Sequence, residues 1–333
     1  MTYLHAARLT CAQGAAEPCE FPFLGQTQTV PYFRAFPQKQ LNRASLIQLL
    51  LQHITQTIEQ AGWHHASLAH DTAIFLGSTA YSVAEYEYEL AQQNHHHAPQ
   101  YTLNTFSADL QQHYPLPIYC FATSCTSAAY ALQHAHQMLQ QGWLKRALVI
   151  GVESFNVLTL AHFHSLGLLG EHCRPFQENG MVLGEGIACL ALSNTAPNTA
   201  QQLRLLSIAA HTDTSSLTEA SASSLSQVMH HALQTAHIHP NAIQTVKAHA
   251  VGSLASDQAE QNALTSVFQR TVPIWCYKPL FGHTLGASAA LETAWLYHNL
   301  AQQPTGHYLT NFFGFGGSHL SAVWAWHNTK ESP

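Results

Sequence analysis

The most reactive side chain at a candidate functional position is Cys125, in the run Thr-Ser-Cys-Thr-Ser-Ala. Apolar, β-rich residues precede it and a helical pattern follows it, so we expect the cysteine in a strand-to-helix turn. The positive end of a helix dipole lowers the pKa of a thiol, which predicts a thiolate nucleophile. Small neighbours leave room for an acyl group at the sulfur. The alternative is a buried cysteine that behaves as a small apolar residue.

A histidine, His249, follows the predicted strand 245–248 and precedes two carboxylates, Asp257 and Glu260. The carboxyl edge of strands is where α/β folds place their active sites. This position therefore predicts a functional imidazole. The alternative is a surface histidine, since the chain contains 25 of them.

Two glycine-containing segments complete the set of candidates. The first is Lys278–Ala287, which contains His283 and is followed by Glu292. The second, Asn-Phe-Phe-Gly-Phe-Gly-Gly-Ser at 311–318, alternates glycine with phenylalanine. Such alternation is costly in an ordinary strand and predicts a tight, functional turn. The alternative is a hairpin turn packed by two phenylalanines.

In this order, the four segments resemble the β-ketoacyl-ACP synthases of the KAS I/II type, within the thiolase superfamily. Four motifs of that family match the chain: Thr-Ala-Cys-Ser-Ser at 123–127, Glu-Ala-His-Gly-Thr-Gly-Thr at 247–253, Lys-x-x-x-Gly-His-Thr-x-Gly-Ala at 278–287 and Asn-Ser-Phe-Gly-Phe-Gly-Gly-Thr-Asn at 311–319. The joint match covers most of the chain. It favours the functional interpretation of Cys125 and both histidines over the single-residue alternatives.

The resemblance implies a decarboxylative condensation in which Cys125 carries the acyl group as a thioester. It implies that His249 and His283 stabilise the enolate that malonyl decarboxylation leaves. It also implies that Lys278 and Glu292 fix and tune this pair electrostatically. The presence of two histidines, where the initiating class has His and Asn, favours the elongating class.

Further roles are implied by the same resemblance. The backbone N–H groups of Cys125 and Phe315 form an oxyanion hole, and Phe315, with Phe313 beside it, gates the acyl pocket. Ser253 contacts the pantetheine arm. We expect no metal and no cofactor of the protein's own, because the phosphopantetheine arm of acyl carrier protein carries the substrate.

Several positions depart from the family pattern. Gln177 replaces an aspartate, Ala250 and Val251 replace Gly-Thr after the histidine, and Ser318-His319 replaces Thr-Asn. Val251 cannot hydrogen-bond the pantetheine arm, whereas Ser253 can. The chain is also shorter than the usual family member. The residues that match the family's catalytic positions are present, whereas several residues that would bind the substrate arm are replaced. We therefore expect a divergent subunit.

Such a subunit is similar to the short ketosynthase-like or chain-length-factor-like proteins of bacterial aryl polyene clusters, which are type II polyketide systems. The expected partners are acyl carrier protein and a related ketosynthase chain in a heterodimer, or a second copy in a homodimer. The resemblance implies pairing through the central sheet, with strand 116–121 as the contact. Basic residues for docking the carrier are few, with Lys145, Arg146 and Arg270 as candidates.

Two other functional classes stay open. One is a non-catalytic interaction protein that keeps only the fold, which Val251 and Gln177 favour. The other is a histidine-rich metal binder, for which the candidate groups are His95–His97, His134/His136, His162/His164 and His230/His231. The i, i+2 spacing of two of these groups does not suit one helix face, which needs i and i+4.

Composition excludes several classes of protein. The 333 residues carry a formal charge of −6 with only 9% charged residues, and no basic stripe supports nucleic-acid binding. No run of about 18 apolar residues predicts a membrane span. The seven cysteines are widely spaced and odd in number, which favours reduced thiols. We therefore expect a soluble, cytoplasmic protein.

Alternating strand and helix patterns predict an α/β fold. The resemblance refines this to a thiolase fold, with two pseudo-duplicated halves, 1–193 and 203–330, in an αβαβα layered arrangement. Helices are predicted over 46–61, 104–113, 127–141, 225–237, 258–268 and 287–300. Strands are predicted over 72–76, 117–121, 146–152, 186–192, 205–209, 245–248, 272–276 and 320–326.

Overall fold

The structure is a computed structural model that describes residues 1–64, 68, 70–93 and 103–328. Its strands are β1 (Thr2–Cys11), β2 (Glu17–Phe23), β3 (Gln26–Phe33), β4 (Thr72–Gly77), β5 (Ile118–Phe121), β6 (Arg146–Glu153), β7 (Leu183–Gly184), β8 (Gly186–Ser193), β9 (Gln201–Thr212), β10 (Ile243–Lys247), β11 (Ile274–Trp275), β12 (Gly306–Gly314) and β13 (Ser318–Asn328). Its α-helices are α1 (Arg43–Gln60), α2 (Val83–Gln93), α3 (Leu103–Gln111), α4 (Ser127–Gln140), α5 (Val157–Ser165), α6 (Ala222–Ala236), α7 (Leu254–Phe268), α8 (Lys278–Phe281) and α9 (Ser288–Leu300).

Ten strands follow one another in the order β11-β10-β12-β13-β9-β1-β8-β6-β4-β5. β1 and β9 meet only over Thr2–Leu4 and Leu203–Leu205, so the sheet divides into two five-stranded halves. In each half, the strand that comes first in sequence (β1 or β9) pairs antiparallel with the last (β8 or β13), which pairs antiparallel with the fourth (β6 or β12). The second strand (β4 or β10) pairs parallel with both the third (β5 or β11) and the fourth. The predicted pseudo-duplication is therefore confirmed.

Helices α4 and α9 lie between the two halves and pack against each other and against the inward faces of both. Alternate residues along each strand face outward, where α1 and α3 cover the first half and α6 and α7 cover the second. Period-2 alternation lets each strand contribute to two apolar layers. The result is the predicted αβαβα order of layers.

The predicted strands and helices all exist, with ends shifted by a few residues. Eight further elements were not predicted, namely β1, β2, β3, β7, β12, α2, α5 and α8. Prolines within β2 and β3 weaken their strand pattern. The glycine–phenylalanine run begins inside β12, so the turn itself is only 315–317. The division into 1–193 and 203–330 stays a prediction.

No helix in the described ranges is long and apolar enough to span a membrane. His95–His97, proposed as part of a metal site, lie outside the described residues. Among the residues that are described, no three His, Cys, Asp or Glu side chains come together as a candidate metal site.

Candidate active site

Cys125 lies in a tight turn between β5 and α4, and 6% of its surface is exposed. Ser124, just before it, has a φ of 56°, in the left-handed region that side chains disfavour. The Thr123 N–H donates to Ser127 Oγ at 3.0 Å, and Ser127 Oγ donates to the Ser124 carbonyl at 2.6 Å. These bonds fix the sulfur at the start of α4.

The Cys125 thiol is a weaker acid than the sequence predicts. Burial raises its pKa to about 11, against smaller opposing effects of Ser124 and Lys278. The predicted lowering by the helix dipole is therefore wrong, because loss of hydration penalises the thiolate more than the start of α4 favours it. The backbone N–H of Phe315 hydrogen-bonds toward the sulfur. The resting group is thus a thiol, which must lose its proton when a C–S bond forms.

Iodoacetamide is expected to alkylate Cys125 at a rate that rises about tenfold per pH unit from pH 7 to pH 10. The thiolate is the reactive form, and with a pKa of about 11 its fraction keeps rising throughout this range. Peptide mass spectrometry of quenched samples measures the rate at this cysteine alone. A plateau above about pH 8.5, as an ordinary cysteine gives, would contradict the expectation.

His249 follows β10 and His283 follows α8, and their rings lie 5.5 Å apart at right angles. The Phe313 N–H donates to His249 Nδ1 at 3.3 Å, and the Lys278 ammonium lies 3.5 Å from the same nitrogen. Because both groups are donors, Nδ1 is the acceptor and Nε2 carries the proton. Ser288 Oγ lies 3.2 Å from His283 Nδ1 and can impose the same tautomer there.

Both imidazoles are neutral at pH 7. Burial holds the pKa of His249 and of His283 well below the usual value, and the positive charge of Lys278 reinforces the effect. Each ring therefore offers one N–H donor, and that donor stays in place on acidification through the ordinary histidine range. The pair is suited to stabilising a negative oxygen without itself carrying charge.

A buried carboxylate, Glu292, lies between two buried ammonium groups. Lys278 Nζ donates to one of its oxygens at 2.8 Å, and Lys247 Nζ donates to the other. Lys247 also donates to the Asn311 carbonyl at 2.5 Å and lies 4.0 Å from the ring centre of Phe312. Burial lowers the pKa of Lys247 to about 8. Burial alone would raise the pKa of Glu292, but the two lysines hold it below its usual value.

Glu292→Gln is expected to destabilise the protein by about 3–5 kcal/mol, because it leaves two buried ammonium groups without a counter-charge. Lys247→Met is expected to cost less, since Lys278 still neutralises Glu292 and methionine packs on the ring of Phe312. Urea unfolding measures both. The double variant should recover part of the unfolding free energy that Glu292→Gln loses. Equal losses of unfolding free energy in the two single variants would contradict a carboxylate shared by both lysines.

Two carboxylates of α7 hold the loop that begins at His249. Glu260 accepts from the N–H groups of His249 at 2.8 Å and Ala250 at 2.9 Å, and Asp257 accepts from Val251 at 3.0 Å. Ala250 has a φ of 47°, so this loop needs such support. The two carboxylates noted in the sequence thus position the histidine and lie outside the reacting groups.

The glycine–phenylalanine turn closes over Cys125. The Phe315 ring stacks on Phe163 with centres 5.7 Å apart. The Gly316 N–H donates to the Leu217 carbonyl at 2.8 Å, which ties the turn to the segment after β9. A Cβ on Gly317 would overlap the Asp213 carbonyl, and its φ is 69°, so glycine is required there.

Two cavities meet at Cys125. A narrow one, of about 50 Å³, lies on the histidine side, and its lining includes Cys125, Leu217, His249, Val251, Ser253, His283, Phe313, Phe315 and His319. A wider one, of about 440 Å³, opens on the other side and is lined by residues that include Ala122, Ser124, Cys125, Leu158, Phe163, Leu285 and Phe315. The predicted site residues thus either line the first cavity or, like Lys278 and Glu292, lie directly behind it.

Comparison with known sequence families agrees with this geometry. The family model described as the N-terminal domain of beta-ketoacyl synthase matches residues 20–197, and that of the C-terminal domain matches 193–306. The chain belongs to the beta-ketoacyl synthase family.

Individual relatives are distant and mostly longer. The non-reducing polyketide synthase pkiA of Emericella nidulans is 28% identical over 288 residues, which are 78% of this chain and 11% of that protein. The chloroplastic 3-oxoacyl-[acyl-carrier-protein] synthase I of Arabidopsis thaliana is 27% identical over 255 residues, 62% of this chain and 53% of that one. This beta-ketoacyl synthase family member therefore spans about half, or much less, of these relatives' lengths.

A solved structure shares the whole fold. The ketosynthase ApeO in complex with its chain length factor ApeC, from Xenorhabdus doucetiae, matches with a TM-score of 0.84 and 18% identity over 97% of each chain. The predicted thiolase fold is confirmed.

Three residues of this beta-ketoacyl synthase family member escaped the sequence analysis. Lys247 stands where the family motif has glutamate, and only the structure links it to Glu292. Glu153, buried at the end of β6, accepts hydrogen bonds from Ser78 Oγ at 2.6 Å and the Thr79 N–H at 2.8 Å. His319 was noted only as a departure from the motif, although it lines the cavity. A lysine inside the predicted apolar strand 245–248, two residues before His249, was the signal that the sequence did contain.

The structure places the basic docking candidates far from the cavity. Lys145 and Arg146 lie at the beginning of β6, whereas Cys125 follows the end of β5, and both strands are parallel to β4. Arg270 precedes β11, which is parallel to β10, and His249 follows the end of β10. All three cations therefore lie near the amino ends of these parallel strands, whereas Cys125 and His249 follow the carboxyl ends.

Proposed function

We propose that this chain catalyses decarboxylative Claisen condensation of acyl and malonyl groups carried by acyl carrier protein, as one subunit of a ketosynthase and chain-length-factor type heterodimer in polyketide biosynthesis of the aryl polyene kind. One observation carries the proposal: a single cavity holds the Cys125 thiol together with two neutral imidazoles, His249 and His283. That set provides a nucleophile and two N–H donors for a developing enolate.

The first step is acyl transfer to the enzyme. The Cys125 sulfur attacks the acyl thioester carbonyl, a new C–S bond forms, the bond to the carrier's sulfur breaks, and the thiol proton passes to the departing pantetheine thiolate. The N–H groups of Cys125 and Phe315 stabilise the tetrahedral oxyanion. The N–H of Phe315 already hydrogen-bonds toward the sulfur, which supports this role.

The second step is decarboxylation and carbon–carbon bond formation. The malonyl C–C bond breaks, carbon dioxide leaves, and the electron pair forms an enolate whose oxygen accepts from Nε2–H of His249 and His283. The enolate carbon then attacks the acyl-Cys125 carbonyl, and the cysteine thiolate leaves and takes up a proton. Lys278, bonded to Glu292 and near His249 Nδ1, fixes the tautomer of that histidine.

The substrate arm reaches the sulfur through the narrow cavity. Ser253 and Val251 both line it, and of these two residues Ser253 is the one with a hydroxyl for the pantetheine arm. Phe315 lies on both cavities and stacks on Phe163, so it is positioned to gate the passage between the arm and the acyl pocket.

Three features support a partner chain. β5 is the outermost strand of its half, and Tyr119 on it is 41% exposed, so a strand edge is free to pair among the described residues. The wide cavity next to Cys125 opens to the surface beside the exposed Leu158. Neither cavity is lined by a described lysine or arginine. A related ketosynthase would cover the edge, close the acyl pocket and supply the cations that dock an acidic carrier.

The proposal is tested by assaying condensation with the chain alone, with a co-expressed related ketosynthase from the same genome, and with the pair carrying Cys125→Ala. We expect the condensation rate of the pair to exceed that of the chain alone at least tenfold, and the pair that carries Cys125→Ala to lose condensation. A chain that is fully active alone, and is not stimulated, would be a homodimeric ketosynthase and would contradict the heterodimer.

A non-catalytic scaffold is the second candidate, favoured by Val251 at the position of a pantetheine-binding threonine. Labelling with a thiol-directed ketosynthase inhibitor separates the two functions. A working site is labelled at Cys125 and protected by acyl carrier substrate. Absence of labelling in folded protein would support the scaffold.

A further inference from the structure

His319 is a third imidazole on the narrow cavity, beside His249 and His283. It lies at the beginning of β13 opposite Phe313, and their rings are 5.3 Å apart, edge to face. The residue is 1% exposed. Within the described part of the chain, neither of its ring nitrogens meets a partner in hydrogen-bond geometry.

This state needs an explanation, because buried polar atoms in folded proteins nearly always have partners. Burial lowers the pKa of His319 to about 4, against smaller opposing effects of Asp213 and the Ser318 backbone, so the ring is neutral at pH 7. A neutral imidazole carries one N–H donor and one acceptor nitrogen. Neither meets a partner in hydrogen-bond geometry here, whereas His249 and His283 each have a nitrogen already engaged.

The two ring nitrogens of an imidazole point away from each other, so a ligand that satisfies both must present an acceptor and a donor several ångströms apart. Two amides joined by a short spacer do so, with the carbonyl of one and the N–H of the other. The pantetheine arm contains two such amides and would pass through this cavity. The same cavity lacks a hydroxyl at Val251, where the resemblance leads us to expect a contact with that arm.

We propose that His319 is a substrate-binding residue that hydrogen-bonds an amide of the pantetheine arm and provides the hydrogen bond that Val251 cannot make. The inference rests on the proposed function, since it takes a pantetheine thioester as the substrate. His319 would then determine affinity for the arm and leave the chemistry at Cys125 to the other two histidines.

Binding is the direct test. In a Cys125→Ala background, calorimetry compares malonyl-pantetheine with S-ethyl malonyl thioester, which has no amide. We expect His319→Phe to weaken malonyl-pantetheine binding about tenfold, as loss of one or two buried hydrogen bonds does, and to change S-ethyl thioester binding less than twofold. His319→Asn, whose amide can donate and accept, should stay within about threefold of the parent.

His211→Asn is the matched control, because His211 pairs with His319 across β9 and β13 and is absent from the lining of both cavities. It should change neither affinity. Equal affinities for malonyl-pantetheine in the parent and in His319→Phe would overturn the inference, as would an equal loss for both thioesters.

The outcome is separable from that of the proposed function. Decarboxylation by the protein with Cys125 intact is measured in parallel. A protein that shows the selective loss of binding but no turnover would keep the role of His319 and refute catalysis. Turnover together with unchanged binding of malonyl-pantetheine in His319→Phe would support catalysis and refute the role of His319. If neither thioester bound, both proposals would be refuted.

Discussion

Cys125→Ala is expected to lower the condensation rate at least 10³-fold while decarboxylation of malonyl thioester continues at a comparable rate. Among the described residues, Cys125 is the one cysteine that lines either cavity, so the substitution removes the group placed to hold the acyl chain covalently. It leaves intact the two imidazole donors and their support by Lys278 and Glu292. Coupled assays of β-ketoacyl product and of carbon dioxide release measure the two reactions on one preparation.

The matched control for this prediction is Cys120→Ala, which changes a partly buried thiol on the strand that leads to the turn. Burial raises the pKa of Cys120 to about 11, as for Cys125, and Cys120 lines neither cavity. It should retain both reactions. If Cys125→Ala kept condensation, or if both cysteine variants lost it equally, the nucleophile would have to be another group.

His283→Ala is expected to lower malonyl decarboxylation by about 10²–10³-fold, the usual effect of removing one donor to a developing oxyanion. His283 is fully enclosed and neutral, so its loss removes an N–H bond to the enolate and no charge. Acylation of Cys125 should persist, because the N–H of Phe315 beside the sulfur is unchanged. Carbon dioxide release and acyl-enzyme mass measure the two effects separately.

Acidification provides an independent check on the same histidine. Because burial holds the pKa of His249 and His283 well below the usual value, decarboxylation in the unmodified protein should not fall as pH drops through 6.5. The exposed His327, changed to alanine, is the control and should leave the rate unaltered. A decarboxylation rate of His283→Ala within threefold of that of the unmodified protein would contradict the role of the His283 N–H as a donor to the enolate.

The sequence predicts which side chains share the cavity, because short-range motifs contain them. Cys125 and His249 each follow a strand whose hydrophobic pattern is clear, His283 lies in a glycine-containing motif, and the structure brings all three to one cavity. The parallel strands β4, β5 and β6 carry their carboxyl ends to one edge, as expected for an α/β fold.

The remaining features depend on contacts between residues distant in sequence. The bond between Lys247 and Glu292 spans 45 residues, and the unpartnered state of His319 appears only when its neighbours are in place. The acidity of Cys125 was misjudged because a helix start is visible in the sequence, whereas the depth of burial that outweighs it is not. The composition of the chain does not show where Arg270 lies, whereas the direction of the strands places it before the amino end of β11, away from the cavity.

The most direct test of the central claim is acylation of Cys125. The chain is incubated with an acyl-loaded carrier protein, alone and with the proposed ketosynthase partner, then digested for peptide mass spectrometry. We predict a mass increase of one acyl group on the peptide that contains Cys125, removed by hydroxylamine and absent in Cys125→Ala. An acyl group on a different residue, or an unacylated Cys125 in a preparation that forms β-ketoacyl product, would contradict the account.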